Sequence, residues 1–366
     1  MTGAGSLEGL IVADFSRVLA GPYATMLLGD LGAEVIKVER PGHGDDTRAW
    51  GPPYTHTGMS TYFASVNRNK SSRAIDLGSA EGKRQARELA LSADVLVENF
   101  KPGTLERLGL GYAELAAERP GLIYCSITGF GAGAGRDLPG YDLLVQAMGG
   151  LMSVTGPGPN EPTKAGVALV DVITGLHATV GILAALRHRD ATGEGQRVEV
   201  NLLSSLLSAL VNQASGYVAG GVVPSIMGNA HPSIAPYEVY ATADRPMVIA
   251  VGNDAQFSAL AAALEDPGLA RDPDFATNPA RVTHRTQLNA RMEELLASAG
   301  ADDWQRRLTE VGVPCGPIND VAQAMALATE LGLAPIVEVD GTPTVAHPIR
   351  LSASPATYRH GPPARP

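Results

Sequence analysis

GLIVADFSRVLAGPYATMLLGDLGAEVIKVER, residues 9–40, is the stretch that decides the fold class. Gly9 to Phe15 reads as a short apolar strand. Pro22 suits the first turn of a helix running to about Leu31, where backbone N–H groups have no intrahelical partner to lose. Gly32 ends that helix, and Ala33 to Glu39 reads as a second strand. Strand, helix and strand joined by such short connections form a βαβ unit, which requires parallel strands and a helix covering the sheet.

The same alternation continues outward. A helix near 80–92 leads to a strand at Asp94–Glu98, and a helix near 104–118 leads to a strand at Leu122–Thr128. A long helical stretch over 171–189 precedes a strand at Arg197–Leu202 and a helix over 203–219. The expected class is therefore α/β, doubly wound about a parallel sheet, to about residue 200. PSIMGNAHPSIAP (224–236) reads as loop, with Pro at both ends. Beyond it, strands at 237–242 and 247–252 and helices near 254–264, 287–299 and 301–311 predict a smaller α+β domain. Strand-like runs return over 334–352. The expected division is a large domain over 1–203, a linker over 204–229, a small domain over 230–325, and a return to the large domain over 326–366.

Composition narrows the function. The 366 residues are 45% hydrophobic and 18% charged, a globular balance, and long enough for two cores. A net charge of −10 argues against an extended nucleic-acid surface, while a few local Arg can still hold a small anion. The two cysteines, Cys125 and Cys315, stand in apolar runs and read as buried thiols, not as a disulfide framework. MTGAGSLEGL lacks the basic and apolar regions of a signal peptide, and no apolar run is expected to span a membrane. The expectation is a soluble cytoplasmic protein that engages neither nucleic acid nor membrane.

Several chemistries are excluded by their missing motifs. The first βα turn, DFSRVLAGP, has no G-x-G-x-x-G, and the match at Gly129, Gly131 and Ala134 runs into the turn RDLPG instead of a helix. No Walker A, H-E-x-x-H or G-x-S-x-G is present, so no metal site is expected. What remains is GVALVDVITGLHATVG (166–181), where an apolar run stops at a lone carboxylate, Asp171, and a helical stripe begins. Read alone, Asp171 is a helix N-cap. Its other reading is a carboxylate kept ionised by the helix dipole and turned toward a cleft. His177, one helical turn and a half further on, is a second potential base, with packing as the alternative.

An ordered set of motifs resolves this. The stretch 14–45, VNRNKS (66–71), ADVLVENFKPGTLERLGLGY (93–112), ITGFG (127–131), LPGYD (138–142), VDVITGLHA (170–178), GNAHPSIAPYE (228–238), DFATNPARVTHR (274–285) and VPCGPIND (313–320) together resemble the family III CoA transferases. That superfamily also holds the α-methylacyl-CoA racemases. The resemblance implies a Rossmann-like large domain, a smaller domain, and a homodimer of two chains linked like rings. It implies CoA transfer between an acyl-CoA and a carboxylic acid, with the CoA thioester as substrate and no tightly bound cofactor. It gives Asp171 the role of nucleophile.

Further positions follow from the same resemblance. Arg17, Val18, Ala20, Arg40, Ile75, Asn99, Phe100, Thr104, Arg107 and Leu202 match CoA-binding positions, with Arg40 and Arg107 near phosphates. Tyr141, Asp142, Asn229, His231 and Ser233 match the acyl pocket. Where the racemases carry a His-Asp pair this chain has Tyr141-Asp142, and a Tyr with a pKa of about 10 is a poor base at neutral pH. Formyl-CoA transferases carry Gln at the position of Leu19 and a glycine-rich loop at the position of HPSI (231–234). GNAHPSIAPYE instead looks like the branch that moves CoA from succinyl-CoA to larger dicarboxylates. Racemisation and an inactive CoA-binding scaffold are the alternatives.

Overall fold

The structure, a computed structural model, describes residues 5–366, so the first four residues of the segment read as carrying no signal peptide lie outside the described residues. The chain forms two units: residues 1–152, 164–224 and 334–366 make the first, and residues 153–163 and 225–333 make the second.

The first unit is built on β1 (Ile11–Asp14), β2 (Glu34–Glu39), β3 (Lys70–Ala74), β4 (Val95–Glu98), β5 (Ile123–Thr128) and β6 (Arg197–Asn201). They form one six-stranded sheet in the order β3-β2-β1-β4-β5-β6, with every pair parallel. Its helices are α1 (Ala20–Asp30), α2 (Thr61–Ser65), α3 (Ala80–Ser92), α4 (Thr104–Arg107), α5 (Tyr112–Glu118), α6 (Asp142–Met148), α7 (Leu169–Thr192), α8 (Leu202–Ala209) and α9 (Val211–Val218).

Helix α1 is buried over its whole length apart from half-buried Tyr23, which is why its sequence carries no polar stripe. It packs with α7 over one face of the sheet, where Ala24, Leu28, Val97, Ile123, Ala178 and Ile182 share a core. The two helices approach closely at Gly175, where a Cβ would stand 2.7 Å from the Ala20 carbonyl oxygen. A second core, with Phe15, Ile36, Leu89, Leu96, Leu105 and Tyr124, covers the other face. Helix α7 is long and apolar enough to cross a membrane, contrary to the reading that no run reaches that length. Val170, Ala178, Ile182, Ala185 and Leu186 belong to the core beneath α1, which accounts for part of the apolar character of α7, while Leu176 and Val180 are exposed.

Three expectations change. KSSRA at 70–74 is the edge strand β3, which the polar composition concealed. The helix read over 104–118 is two short helices separated by a turn at Gly109 and Gly111. The single helix read over 203–219, inside the linker read over 204–229, is two helices, α8 and α9, that break at Val211, and residues up to 224 belong to the first unit.

The second unit has an antiparallel sheet of β7 (Tyr237–Tyr240), β8 (Met247–Ala250) and β9 (Cys315–Pro317) in that order. Around it lie α10 (Asp254–Ala263), α11 (Asn278–Thr283), α12 (Arg285–Leu296), α13 (Ala301–Glu310) and α14 (Val321–Glu330). Met247, Ile249, Phe257, Leu260, Leu288, Met292, Trp304 and Leu308 make its core. Cys125 is buried as expected, whereas Cys315 is only partly so, because its strand is at the sheet edge. The hairpin of β10 (Ile336–Val339) and β11 (Thr342–Val345) belongs to the first unit, as do residues up to 366.

Candidate active site

Strand order changes direction between β1 and β4, and in open parallel sheets that switch point leaves a crevice outside the carboxyl ends of the strands. The loops that follow β1, β4 and β5 all meet there. Asn99, just past β4, ties two of them together. Its Oδ1 accepts from the Arg17 backbone N–H at 2.9 Å, and its Nδ2 donates to the Arg17 carbonyl at 2.7 Å. The third loop folds back on itself at Gly129 and Gly140, where a Cβ on either would come within 2.7 Å of the other's backbone. Only glycine permits that crossing, and it delivers Tyr141 and Asp142 to the crevice.

Two cavities occupy the crevice. The larger, about 410 Å³, is lined by Val18, Leu19 and Ala20 after β1, by Asn99 to Pro102 after β4, by residues 128–131 and 138–142 after β5, and by Asp171 and Leu202. Three cations, Arg17, Lys101 and Arg136, stand in its wall. The smaller, about 250 Å³, is lined by Phe15, Val38, Arg40, Ile75, Leu77 and their neighbours, and it shares Arg17, Asp46 and Phe100 with the larger. The pair therefore offers, inside a single groove, an apolar recess, a basic stretch of wall and several carboxylates, with Asp46, Asp142 and Asp171 those of the larger cavity.

Asp171 is not the N-cap of α7. The cap position is Ala168, whose side chain has nothing to donate or accept, and Asp171 is the third helical residue. The capping function has moved to another element. Asp142 Oδ1 accepts from the Val170 N–H at 2.8 Å and from the Asp171 N–H at 3.2 Å. Asp142 Oδ2 accepts from Gln146 Nε2 at 2.6 Å, and Gln146 Oε1 accepts from the Ala165 N–H at 2.8 Å. Asp142 thus spends both oxygens on holding the start of α7, which leaves the Asp171 carboxylate without that duty.

The electrostatics follow from this arrangement. Burial, and then the neighbouring charge of Asp142, push the Asp171 carboxyl up to about 7. The expectation that the helix N-terminus keeps it fully ionised fails, because Asp142 takes the Val170 and Asp171 N–H donors. Burial and the charges of Asp171, Asp142 and Asp45 likewise push the Tyr62 phenol up to about 12, so it stays protonated. No sequence signal pointed to Tyr62.

A profile of the CoA-transferase family III matches residues 7–365. The chain belongs to CoA-transferase family III. It is 45% identical to the mouse succinyl-CoA:glutarate CoA-transferase over 340 residues, covering 93% of this chain and 78% of that one. It is 43% identical to the succinate–glutarate CoA-transferase of Agrobacterium fabrum, covering 96% and 91%. A solved CAIB/BAIF family protein from Brucella suis superposes with a TM-score of 0.89 at 44% identity, over 99% of this chain and 96% of the other.

Within this family III chain the residues expected to contact CoA distribute over the groove unevenly. Val18, Ala20, Asn99 and Leu202 line the larger cavity with Asp171, Tyr141 and Asp142. Arg40 and Ile75 line the smaller, and Arg17 and Phe100 line both, with the Arg17 guanidinium 5.3 Å from the Phe100 ring centre. Thr104 and Arg107 are not among the lining residues. Arg107 donates to Thr104 Oγ1 at 3.2 Å and comes, with Arg136, close to Gly103.

Asn229, His231 and Ser233 belong to the second unit. There His231 Nδ1 accepts from the Ser233 N–H at 3.1 Å, and Asn278 Nδ2 donates to the Ser233 carbonyl at 2.9 Å. Fully buried Arg281 donates to the Ala235 carbonyl at 2.6 Å, and Arg285 donates to the His231 carbonyl at 2.6 Å. The motif DFATNPARVTHR therefore holds the loop HPSIA in shape. His177 is exposed, with Nδ1 3.0 Å from Ser205 Oγ, and lies outside the cavity wall.

Sequence reasoning passed over Asp14, Lys37, Asp45 and Lys70, a cluster of buried charges beneath the β1 loop. Their signal was present in DFSR, KVER, GDD and NRNKS: charged residues inside runs that must be buried. It becomes legible only once the strands are paired.

Proposed function

We propose that this protein moves CoA from succinyl-CoA to a dicarboxylic acid, with glutarate as the acceptor, and that Asp171 is the nucleophile. The observation that carries the role of Asp171 is its place as a carboxylate with a raised pKa in the wall of the larger cavity. The relatives named for succinyl-CoA and glutarate, at 43–45% identity, support the choice of substrates.

The chemistry is a double displacement. The Asp171 carboxylate attacks the donor thioester carbonyl, the C–S bond breaks, and CoA thiolate leaves behind a mixed anhydride. The thiolate attacks the aspartyl carbonyl and expels the donor acid, giving an aspartyl-CoA thioester. The acceptor carboxylate attacks that thioester and again expels CoA thiolate. The thiolate then takes the acceptor's acyl carbon and releases Asp171. No net proton moves, and covalent catalysis divides one exchange into four easier steps. A raised carboxyl pKa makes the anion a stronger nucleophile once ionised, at the cost of a smaller ionised fraction at neutral pH. The burial of the Asp171 carboxyl limits water, which would hydrolyse the anhydride.

Racemisation would need a second base on the opposite face of the substrate. Asp142, the nearest second carboxylate in the cavity wall, has both oxygens committed to backbone and Gln146 donors, which favours transfer. An assay of CoA exchange from succinyl-CoA to glutarate, oxalate and monocarboxylates tests the reading, with hydroxylamine trapping and mass spectrometry of Asp171 alongside. Exchange with no hydroxamate at Asp171 would remove it as nucleophile, and proton exchange at an α-carbon without CoA exchange would replace the transferase by a racemase.

The proposal includes a homodimer of interlocked chains. Val211, Tyr217, Val218, Val222 and Val223 are 58–82% exposed within 13 residues of one chain, an apolar stretch that a second copy would cover. A monomer in sedimentation at micromolar concentration would contradict it.

A further inference from the structure

Val18 has φ of +70°, a left-handed conformation that a β-branched side chain resists. It lines the larger cavity, next to Leu19 and Ala20, which line it as well. A residue in such a conformation persists only where its surroundings over-determine it, and the bonds around Val18 do so one by one. The Ser16 N–H donates to Asp14 Oδ1 at 3.0 Å. The Ser16 carbonyl accepts from Lys37 Nζ at 2.9 Å. The Arg17 N–H and carbonyl are both taken by Asn99. The Val18 N–H reaches both oxygens of Asp45, at 3.2 and 3.4 Å.

Lys37 and Asp45 are themselves a fully buried ion pair at 2.8 Å. Asp45 also accepts from the Thr47 N–H at 3.0 Å and from its hydroxyl at 2.8 Å. Its own N–H is held by Glu39 at 2.7 Å, and Glu39 is gripped in turn by Arg48. One ion pair thereby seizes the backbone on both sides of Arg17. A buried pair of this kind is weak evidence for stability, since an apolar pair of similar volume packs at least as well. Its retention here needs another reason.

We propose that the buried Lys37–Asp45 pair is a positioning device for the transfer reaction: it holds Val18 in its left-handed conformation and so fixes the cavity wall that receives the CoA thioester. Neither residue lines that cavity, although Asp45 lines the smaller one beside it; on the larger cavity both act through the Ser16–Val18 backbone. The inference rests on the reading that this cavity takes CoA.

The test is a thermodynamic cycle read by calorimetric CoA binding. Asp45→Asn removes the charge that pairs with Lys37 and loosens the grip on the Val18 N–H. It should raise the Kd for CoA about tenfold in the wild-type background. In a Val18→Gly background it should raise it less than twofold, because glycine holds a positive φ without help. Equal changes in the two backgrounds, or no change in either, would overturn the proposal. Should Asp45→Asn fail to fold, a second comparison decides. Val18→Gly should melt several degrees above Val18→Ala, the reverse of the usual order of these residues, and an alanine variant that melts higher would remove the strain on which the proposal stands. Failure of the wild type to bind CoA would instead reject the reading of the cavity itself.

Discussion

The β1 loop of the first unit and the core of the second are both well buried, yet they are made differently. Beneath the loop lie Asp14, Lys37, Asp45 and Lys70, all buried, together with the Glu39–Arg48 pair. The second unit's core is apolar, from Met247 and Phe257 to Leu308, with Arg281 the charged residue buried against it. Apolar side chains fill space without direction, so they settle how tightly a unit packs. Paired charges have direction, so they can fix a backbone that would relax if merely packed. The first unit uses charges where the chain forms a crevice wall.

The comparison sharpens through four experiments. The largest effect belongs to Asp171→Asn, which should reduce transfer to background, at least a thousandfold, in a direct CoA-exchange assay. The same variant reports on the buried charge. The Asp171 carboxyl stands at about 7 in the folded protein against 3.8 in a free chain, so its contribution to stability is complete below pH 3.8 and is lost as pH rises through about 7. At pH 8 the wild type therefore carries a penalty on the order of a few kcal/mol that an amide does not, and the Asn variant should melt higher. The gap should close near pH 4.

Next come paired losses in the two regions. Lys70→Met leaves Asp14 buried without the ion partner now 3.0 Å away, and should cost about 3–5 kcal/mol in denaturant unfolding. Leu288→Ala in the second unit's core should cost a similar amount, roughly 2–5 kcal/mol, through the cavity it leaves. The two should separate in kinetics: the folded fraction of the Lys70 variant should show a raised KM for the acyl-CoA, while that of the Leu288 variant should not. Equal KM changes would erase the contrast between the two regions.

A smaller effect is expected from Arg40→Ala at the smaller cavity. If Arg40 holds a CoA phosphate as proposed, loss of that charge-assisted bond, about 1.5–3 kcal/mol, should raise the KM for the acyl-CoA about tenfold or more with kcat little changed. Smallest of all is the shift from Asp142→Asn. In the wild type kcat/KM should rise with pH through about 7, because in the proposed mechanism only the ionised Asp171 attacks. Removing the Asp142 charge stabilises that anion, so the rise should move to lower pH by a fraction of a unit. A move to higher pH would mean that the loss of the α7 clamp outweighs the charge.

Much of the first unit could be read before the strands were paired, since β1, α1, β2, β4, β5 and β6 all follow from apolar runs and Gly or Pro punctuation. Strand β3 did not, because KSSRA has no strand pattern and owes its place to pairing with β2 along one edge. The break between α8 and α9 was equally silent, as Val211 carries no breaker signal in its sequence. Asp171 was legible through an ordered set of motifs, while its environment was not.

The sequence by itself determined the α/β class and the succession of βα units and put Asp171 forward as the proposed nucleophile, because these depend on neighbours within a few residues or on motifs in order. The tertiary structure alone decided that Asp142, 29 residues earlier, and not Asp171, holds the start of α7, and that Asp45 reaches Val18 across 27 positions. Those bonds join groups made adjacent only by the parallel sheet and its crossovers. Short-range propensity therefore carries no trace of them, nor of the burial and the Asp142 charge that raise the Asp171 carboxyl.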